Sequence, residues 1–250
     1  TLGGPILKNK LFFFVNGEYE NQPAPIHKWK LSTDGNEDVE NRVSRVTDAD
    51  MRCFSQDLKG MYGYDTGSWT DFSGGMNTYR AMARVDWNIS DRNRLMFRYN
   101  YTSQQKDNNV VGAALDVNGS PVGRYSMTFR NSTWKQSNNV SSLTMELNSH
   151  LGHSMNNKLL VSYTFNDGNK RECKGDFPTV DIMKPDEQGI DRPFMNAGYD
   201  QHAWRNGIKE RVWSVSDHFS AQAGNHQLTG GISFESQYVS NCYMRYGAGY

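Results

Sequence analysis

Residues spaced for bond chemistry are scarce in this chain. His150 and His153 form an H-x-x-H pair in a polar turn. Solvated turn histidines are the simpler reading of that pair, and a metal site is the alternative. No serine sits in a nucleophile elbow. The three cysteines, Cys53, Cys173 and Cys242, are an odd number with no C-x-x-C spacing, so neither a disulfide framework nor a zinc site is indicated. The chain is therefore expected to be no enzyme and to have no catalytic, cofactor-binding or metal-binding residues. The remaining chemistry is electrostatic. Glu18, Glu20, Arg80, Arg84, Asp86 and Arg98 sit at alternate positions beside apolar neighbours. Charges placed this way either pair across strands and stiffen a wet surface, or reach a substrate or an inner domain.

The elements that position these charges are strands. Side chains alternate across a strand, so a period of two sorts them into faces. In the run Leu11 to Glu20, Leu11, Phe13, Val15, Gly17 and Tyr19 share one face, and Asn16, Glu18 and Glu20 share the other. The pattern recurs at Tyr79–Trp87, Leu95–Tyr101, Leu143–Leu147, Leu159–Phe165 and Leu228–Tyr238. The expected apolar set is Phe13, Val15, Tyr19, Tyr79, Val85, Trp87, Phe97, Tyr99, Tyr101, Val161, Tyr163, Phe165, Ile232 and Phe234. Asp217 interrupts the stripe around Trp213 and Phe219, which suggests a bulge or a position near a surface.

The connections alternate in length. Turns at Lys8–Lys10, Ser90–Asn93, Gly152–Asn157 and Gly224–Asn225 are short, and the segments between them are long and polar. A transmembrane barrel has this arrangement, with apolar residues toward lipid and polar residues toward a wet lumen. The balance of 27 basic and 27 acidic residues argues against a nucleic-acid partner. The mean hydropathy of −0.76 does not argue against a barrel, because only alternate residues meet lipid. The fold class expected is all-β: an antiparallel up-and-down barrel wall of about eight strands, short turns on one side and long loops on the other.

Within the first long connection, Asp48–Tyr62 carries Met51, Phe54, Leu58 and Met61 at helical spacing, with Asp48 as a candidate cap. A strand is expected from Met127 to about Ser149, and the prolines are expected outside strand interiors. All three cysteines are expected toward the loop end, where a Cys53–Cys173 staple is compatible with an oxidising location. The hairpin Tyr79–Tyr101 is expected to turn on Asp91-Arg92-Asn93. That choice pairs Ile89 with Leu95, Trp87 with Phe97 and Asp86 with Arg98.

Four stretches carry a resemblance. Leu2-Gly-Gly-Pro-Ile-Leu-Lys-Asn-Lys-Leu-Phe-Phe-Phe-Val-Asn-Gly-Glu18 resembles the opening barrel hairpin of Oar-like TonB-dependent transporters. Arg84-Val-Asp-Trp-Asn-Ile-Ser90 with Asn93-Arg-Leu-Met-Phe-Arg-Tyr99, Leu143-Thr-Met-Glu-Leu-Asn-Ser149, and Gly224-Asn-His-Gln-Leu-Thr-Gly-Gly-Ile-Ser-Phe-Glu235 resemble later strands of that family, in order. The resemblance implies residues 1–250 are part of a barrel of about 22 strands in the outer membrane of a Gram-negative bacterium. It implies a plug domain and TonB as partners, neither with a counterpart here, plus outer-membrane lipid and an imported nutrient. Rival readings are a barrel for surface display or adhesion, and a soluble β-rich carbohydrate-binding module or hydrolase.

Overall fold

The computed structural model describes residues 1–110 and 120–245. Eight strands form one sheet in strict sequence order: β1 (Leu2–Leu7), β2 (Leu11–Pro25), β5 (Ser73–Ser90), β6 (Asn93–Asn108), β8 (Trp134–Leu151), β9 (Met155–Cys173), β12 (Gly207–Ala223) and β13 (His226–Cys242). Every neighbouring pair in this sheet is antiparallel. The sheet is open, with β1 and β13 at its edges. Because each strand reverses the last, the four tight turns lie at one end. The three long connections, 26–72, 109–133 and 174–206, lie at the other.

Register sorts the side chains into two faces. Phe13, Val85, Phe97, Met145, Val161, Val215 and Phe234 line up across the sheet as one apolar row. One residue along, Phe14, Arg84, Arg98, Thr144, Ser162, Ser214 and Glu235 form a row on the opposite face. Asp217 lies between Leu159 and Ile232 on the apolar face without a bulge, and its carboxylate accepts a 2.9 Å bond from Asn157 Nδ2.

The buried core is elsewhere. The long connections fold onto one another as a cap at the loop end. The first contains β3 (Lys30–Ser32), β4 (Val43–Thr47) and helix α1 (Asp48–Tyr62). The second contains β7 (Met127–Thr128) and a 3-10 turn at Arg130–Ser132; its residues 111–119 lie outside the described residues. The third contains β10 (Val180–Pro185) and β11 (Asp191–Ala197). Val46, Met51, Leu58 and Phe72 from the first, Met127 and Phe129 from the second, and Phe194, Met195 and Ala197 from the third share one buried cluster. Strand β11 pairs with β10 on one side and, in parallel, with β7 on the other, so a small sheet ties the second connection to the third.

Several details differ from the sequence expectations. Helix α1 has the expected span, but Thr47 is its cap, in a reciprocal capping box with Asp50; Asp48 occupies the first helical position. Met61, expected on the packed face, is exposed. The strand expected from Met127 begins at Trp134, because residues 127–132 are taken into the cap. The cap also contains parallel pairings, β3 with β4 and β11 with β7, in a fold expected to be almost wholly antiparallel. Pro5, expected at a strand end, lies inside edge strand β1, and Pro23 and Pro193 also lie inside strands. Pro23 pairs with Gly75 at the loop end of β2, beyond the reach of β1, so its missing N–H interrupts no ladder.

Candidate functional site: the polar face and the loop cap

The polar face gathers charges that are far apart in sequence. Glu18 lies directly across from Arg80, whose Nη1 donates to Glu18 Oε1 at 2.7 Å and Glu20 Oε2 at 3.1 Å. Lower on the face, Arg84 grips Asp86 of its own strand with two 2.7 Å bonds. Glu146 of β8 is held by Lys158 at 3.1 Å and Asn148 at 2.8 Å. These pairs are partly solvated, so each contributes only about 0–1 kcal/mol. They fix register and keep the face wet more than they stabilise the sheet.

The expected cross-strand pairing of Asp86 with Arg98 is not formed. Arg98 lies opposite Arg84, and Asp86 lies opposite Met96. Trp87 likewise faces Leu95, and Val85 faces Phe97. The cause is local. The turn is two residues, Asp91-Arg92, with Ser90 opposite Asn93 and an irregularity at Ile89. Ser90 Oγ accepts from the backbone N–H groups of Arg92 and Asn93, which closes the turn tightly. The pairing shifts by two positions. An even shift leaves every face unchanged, so all six charges still share one face and the expected apolar residues share the other. Arg98 carries a buried Nε with no hydrogen-bond partner among the described residues.

The apolar face leaves large side chains uncovered. Ile232 is 74% exposed, Phe234 65%, Tyr19 57% and Trp213 53%. Aromatic pairs reinforce it: Tyr19 against Tyr79 with ring centres 4.9 Å apart, and Tyr163 against Trp213 at 4.5 Å. A continuous exposed apolar surface of this kind marks contact with a membrane or a partner.

The cap leans over the polar face. Trp134 has the parity of that face and is only 7% exposed, covered by Tyr199 and Ala203 of the third connection. Arg171 lies over the Trp134 ring at 4.9 Å. Cys173 sits in the same cluster, where Asp200 N–H donates to its sulfur at 3.2 Å. Burial pushes that thiol's pKa well up. All three cysteines are free, so the Cys53–Cys173 staple is absent.

One residue ties the three connections together. Arg45 of β4 donates from Nη1 to Pro185 O at 2.8 Å, from Nη2 to Lys184 O at 2.6 Å and from Nε to Tyr125 O at 3.2 Å. Its guanidinium also lies 5.0 Å from the Tyr125 ring centre and 5.5 Å from that of Phe194. Arg124 pairs with Glu37 while lying over Tyr125 at 4.4 Å. Sequence periodicity gives no sign of this junction, since its members come from three segments. The alternation of Arg with aromatic residues at Arg124-Tyr125 and Arg192-Pro-Phe194 is the trace it leaves. His150 bonds Asn156 through its ring at the turn end, and among the described residues no group of three or more ligand side chains could hold a metal.

A sheet in strict up-and-down order, tight turns at one end and folded loops at the other defines the wall of an outer-membrane β-barrel. The model of the outer membrane beta barrel domain family matches residues 45–250, and the chain belongs to that family. Among solved structures the chain is similar to the outer membrane transporter YddB from Escherichia coli, with a TM-score of 0.50 and 12% identity, over 95% of this chain. It spans 24% of that transporter, and the likeness is one of fold. No curated protein matches the sequence. The protein is therefore an outer-membrane one, which removes the soluble-module reading.

Proposed function

We propose that the chain is part of the wall and outer loops of a TonB-dependent transporter of the Oar-like kind. In this reading the apolar face meets lipid, the polar face lines a wet lumen, and the protein moves a nutrient without bond chemistry. The observation that carries it is the cap. Three long connections share one core and cover the polar face at Trp134, as a mouth that holds a ligand above a lumen must. A plug domain and TonB would act through other parts of the protein. The four family-like stretches, which lie in sequence order within one sheet, add to the reading.

Deleting the gene and disabling TonB should abolish uptake of the same nutrient, scored by comparing growth on single carbon, nitrogen and metal sources. The rival reading, a display or adhesion barrel, is favoured by the same folded cap. It predicts lost attachment on gene deletion and no effect of TonB. Attachment that depends on the gene alone, with no shared growth defect, would displace the transporter reading.

A further inference from the structure

We propose that Lys170, Lys209 and Arg211 bind the phosphorylated sugar headgroup of an outer-leaflet glycolipid. This inference rests on the reading of the apolar face as the lipid-facing one. On that face, β2, β5, β6 and β13 carry no cation at any paired position; cations appear only on the adjoining β8, β9 and β12, as Lys135, Lys170, Lys209 and Arg211. The cluster is also at the right height. Lys209 is ten positions along β12 from Phe219. At about 3.3 Å per residue and a tilt of roughly 40°, that is about 25 Å, the height of a lipid-facing band. Arg211, one row lower, lies between Phe165 and Tyr238, with its guanidinium 5.9 Å from the Phe165 ring centre. An arginine set among aromatics at this level belongs to the headgroup zone.

Lys209, directly across from Asp167, and Arg211 are the open cations of the three, and Lys170 is already paired. Glu172 holds Lys170 at 2.7 Å. Among the described residues, no carboxylate lies within ion-pair distance of Lys209 or Arg211. Lys170 and Lys209 open onto a cleft of about 490 Å³ with Arg205 and Trp204. Asp167 and Glu172 also line it. Carboxylates repel phosphate but accept bonds from sugar hydroxyls, and Arg205, over the Trp204 ring at 5.3 Å, adds a cation to the same cleft. The combination suits a phosphorylated sugar better than a bare phosphate. Below it, Tyr163, Trp213 and Tyr238 continue the apolar face, where the acyl chains of the same molecule would lie.

The test uses the full-length protein extracted from outer membranes. Native mass spectrometry would count retained lipopolysaccharide in the wild type, in Lys209→Gln/Arg211→Gln, and in Lys59→Gln on the exposed side of the cap helix. Titration with purified lipid A would give affinities, with inorganic phosphate as competitor. The expected result is at least a tenfold loss of lipid A affinity in the double variant and none in Lys59→Gln. Equal binding by all three proteins would overturn the proposal. Displacement by millimolar phosphate would overturn the lipid assignment in favour of a free-phosphate site. Quenching by brominated lipid that is lost in Trp213→Phe checks the face itself. No Trp213 contribution would bring down the underlying face assignment, whereas normal quenching with unchanged lipid A binding would bring down only this proposal.

Discussion

Placing arginine at Val85 should harm assembly far more than removing the arginine beside it. Val85 lies between Phe13 and Phe97 on the apolar face, five positions from Ser90 at the turn end of β5. That distance is about 13 Å along the membrane normal at ordinary strand rise and tilt, near the middle of a 25 Å band. A lipid-facing arginine at mid-depth costs roughly 2–4 kcal/mol, which is about 30- to 1,000-fold in the folding equilibrium. Arg84 is on the other face, bonded to Asp86 and opposite Arg98. Arg84→Ala loses a solvated ion pair worth about 0–1 kcal/mol and relieves a like-charge confrontation, so it should be close to neutral. Heat-modifiable gel mobility of the full-length protein in outer membranes measures the folded fraction, and urea titration in lipid vesicles measures the difference in free energy. Val85→Arg should shift the urea midpoint down and deplete the folded band; Arg84→Ala should do neither. Equal tolerance of both changes would mean that neither face meets lipid, and the assignment of inside and outside would fail.

Three further outcomes are expected. Arg45→Met keeps the stem but removes three hydrogen bonds to backbone carbonyls, each worth about 0.5–1.5 kcal/mol; limited proteolysis should then cut the cap within residues 26–72 or 174–206 while the wall stays folded, and an uncut cap would show that the Arg45 junction is not what holds it. In intact cells a membrane-impermeant maleimide should label Cys53 and Cys242, both exposed, faster than Cys173, which is half-buried against the Trp134 cluster, until the protein is denatured; a Cys173 as reactive as the other two would contradict the packing around Trp134. His27 packs on Phe72 with its ring centre 3.8 Å away and neither nitrogen hydrogen-bonded among the described residues, and burial lowers its pKa to about 4. Between the usual value near 6.5 and about 4 the unfolded state binds more protons, so cap stability should fall as pH drops through that window and level off below it. His27→Phe should flatten this dependence, as read by hydrogen exchange of the cap against pH, and an unchanged slope would assign it to other groups.

How far the fold was legible depended on how local each signal was. Faces come from a period of two within one strand, and Phe13, Val85 and Phe234 kept theirs because an even register shift cannot exchange faces. Register depended on one irregularity at Ile89 and on Ser90 closing a two-residue turn, neither of which has a periodic signature. The helix was visible because Met51, Phe54 and Leu58 repeat within a few residues; the capping box, one residue earlier, rests on the Thr47-x-x-Asp50 spacing. The cap core was not visible, because Val46, Phe129 and Phe194 are single apolar residues in polar segments, brought together from three separate connections. Met127–Ser132 has strand composition, but its apolar residues are used by that core.

The wall and the cap are held together by different physics, and this separates their motions. The wall has long ladders, hardly any buried apolar side chains and partly solvated charge pairs, so its stability depends on backbone pairing and on whatever covers its apolar face. The cap has a buried core of its own, from Val46 and Met51 to Phe129 and Phe194, and an arginine junction whose bonds end on backbone carbonyls. Opening the cap costs that core and junction and, at the wall, bonds at the top of β9 such as Arg171 N–H to Asn206 O at 3.0 Å, whereas the ladders between strands do not involve the cap core. The clearest mechanical link is where Trp134, Tyr199 and Cys173 pack at the tops of β8 and β9. A ligand that prised Tyr199 from Trp134 would free the third connection to move over the polar face while the strands beneath kept their register. In the proposed transporter reading, this would divide the protein into a fixed wall in the membrane and a gate whose stability is set independently above it.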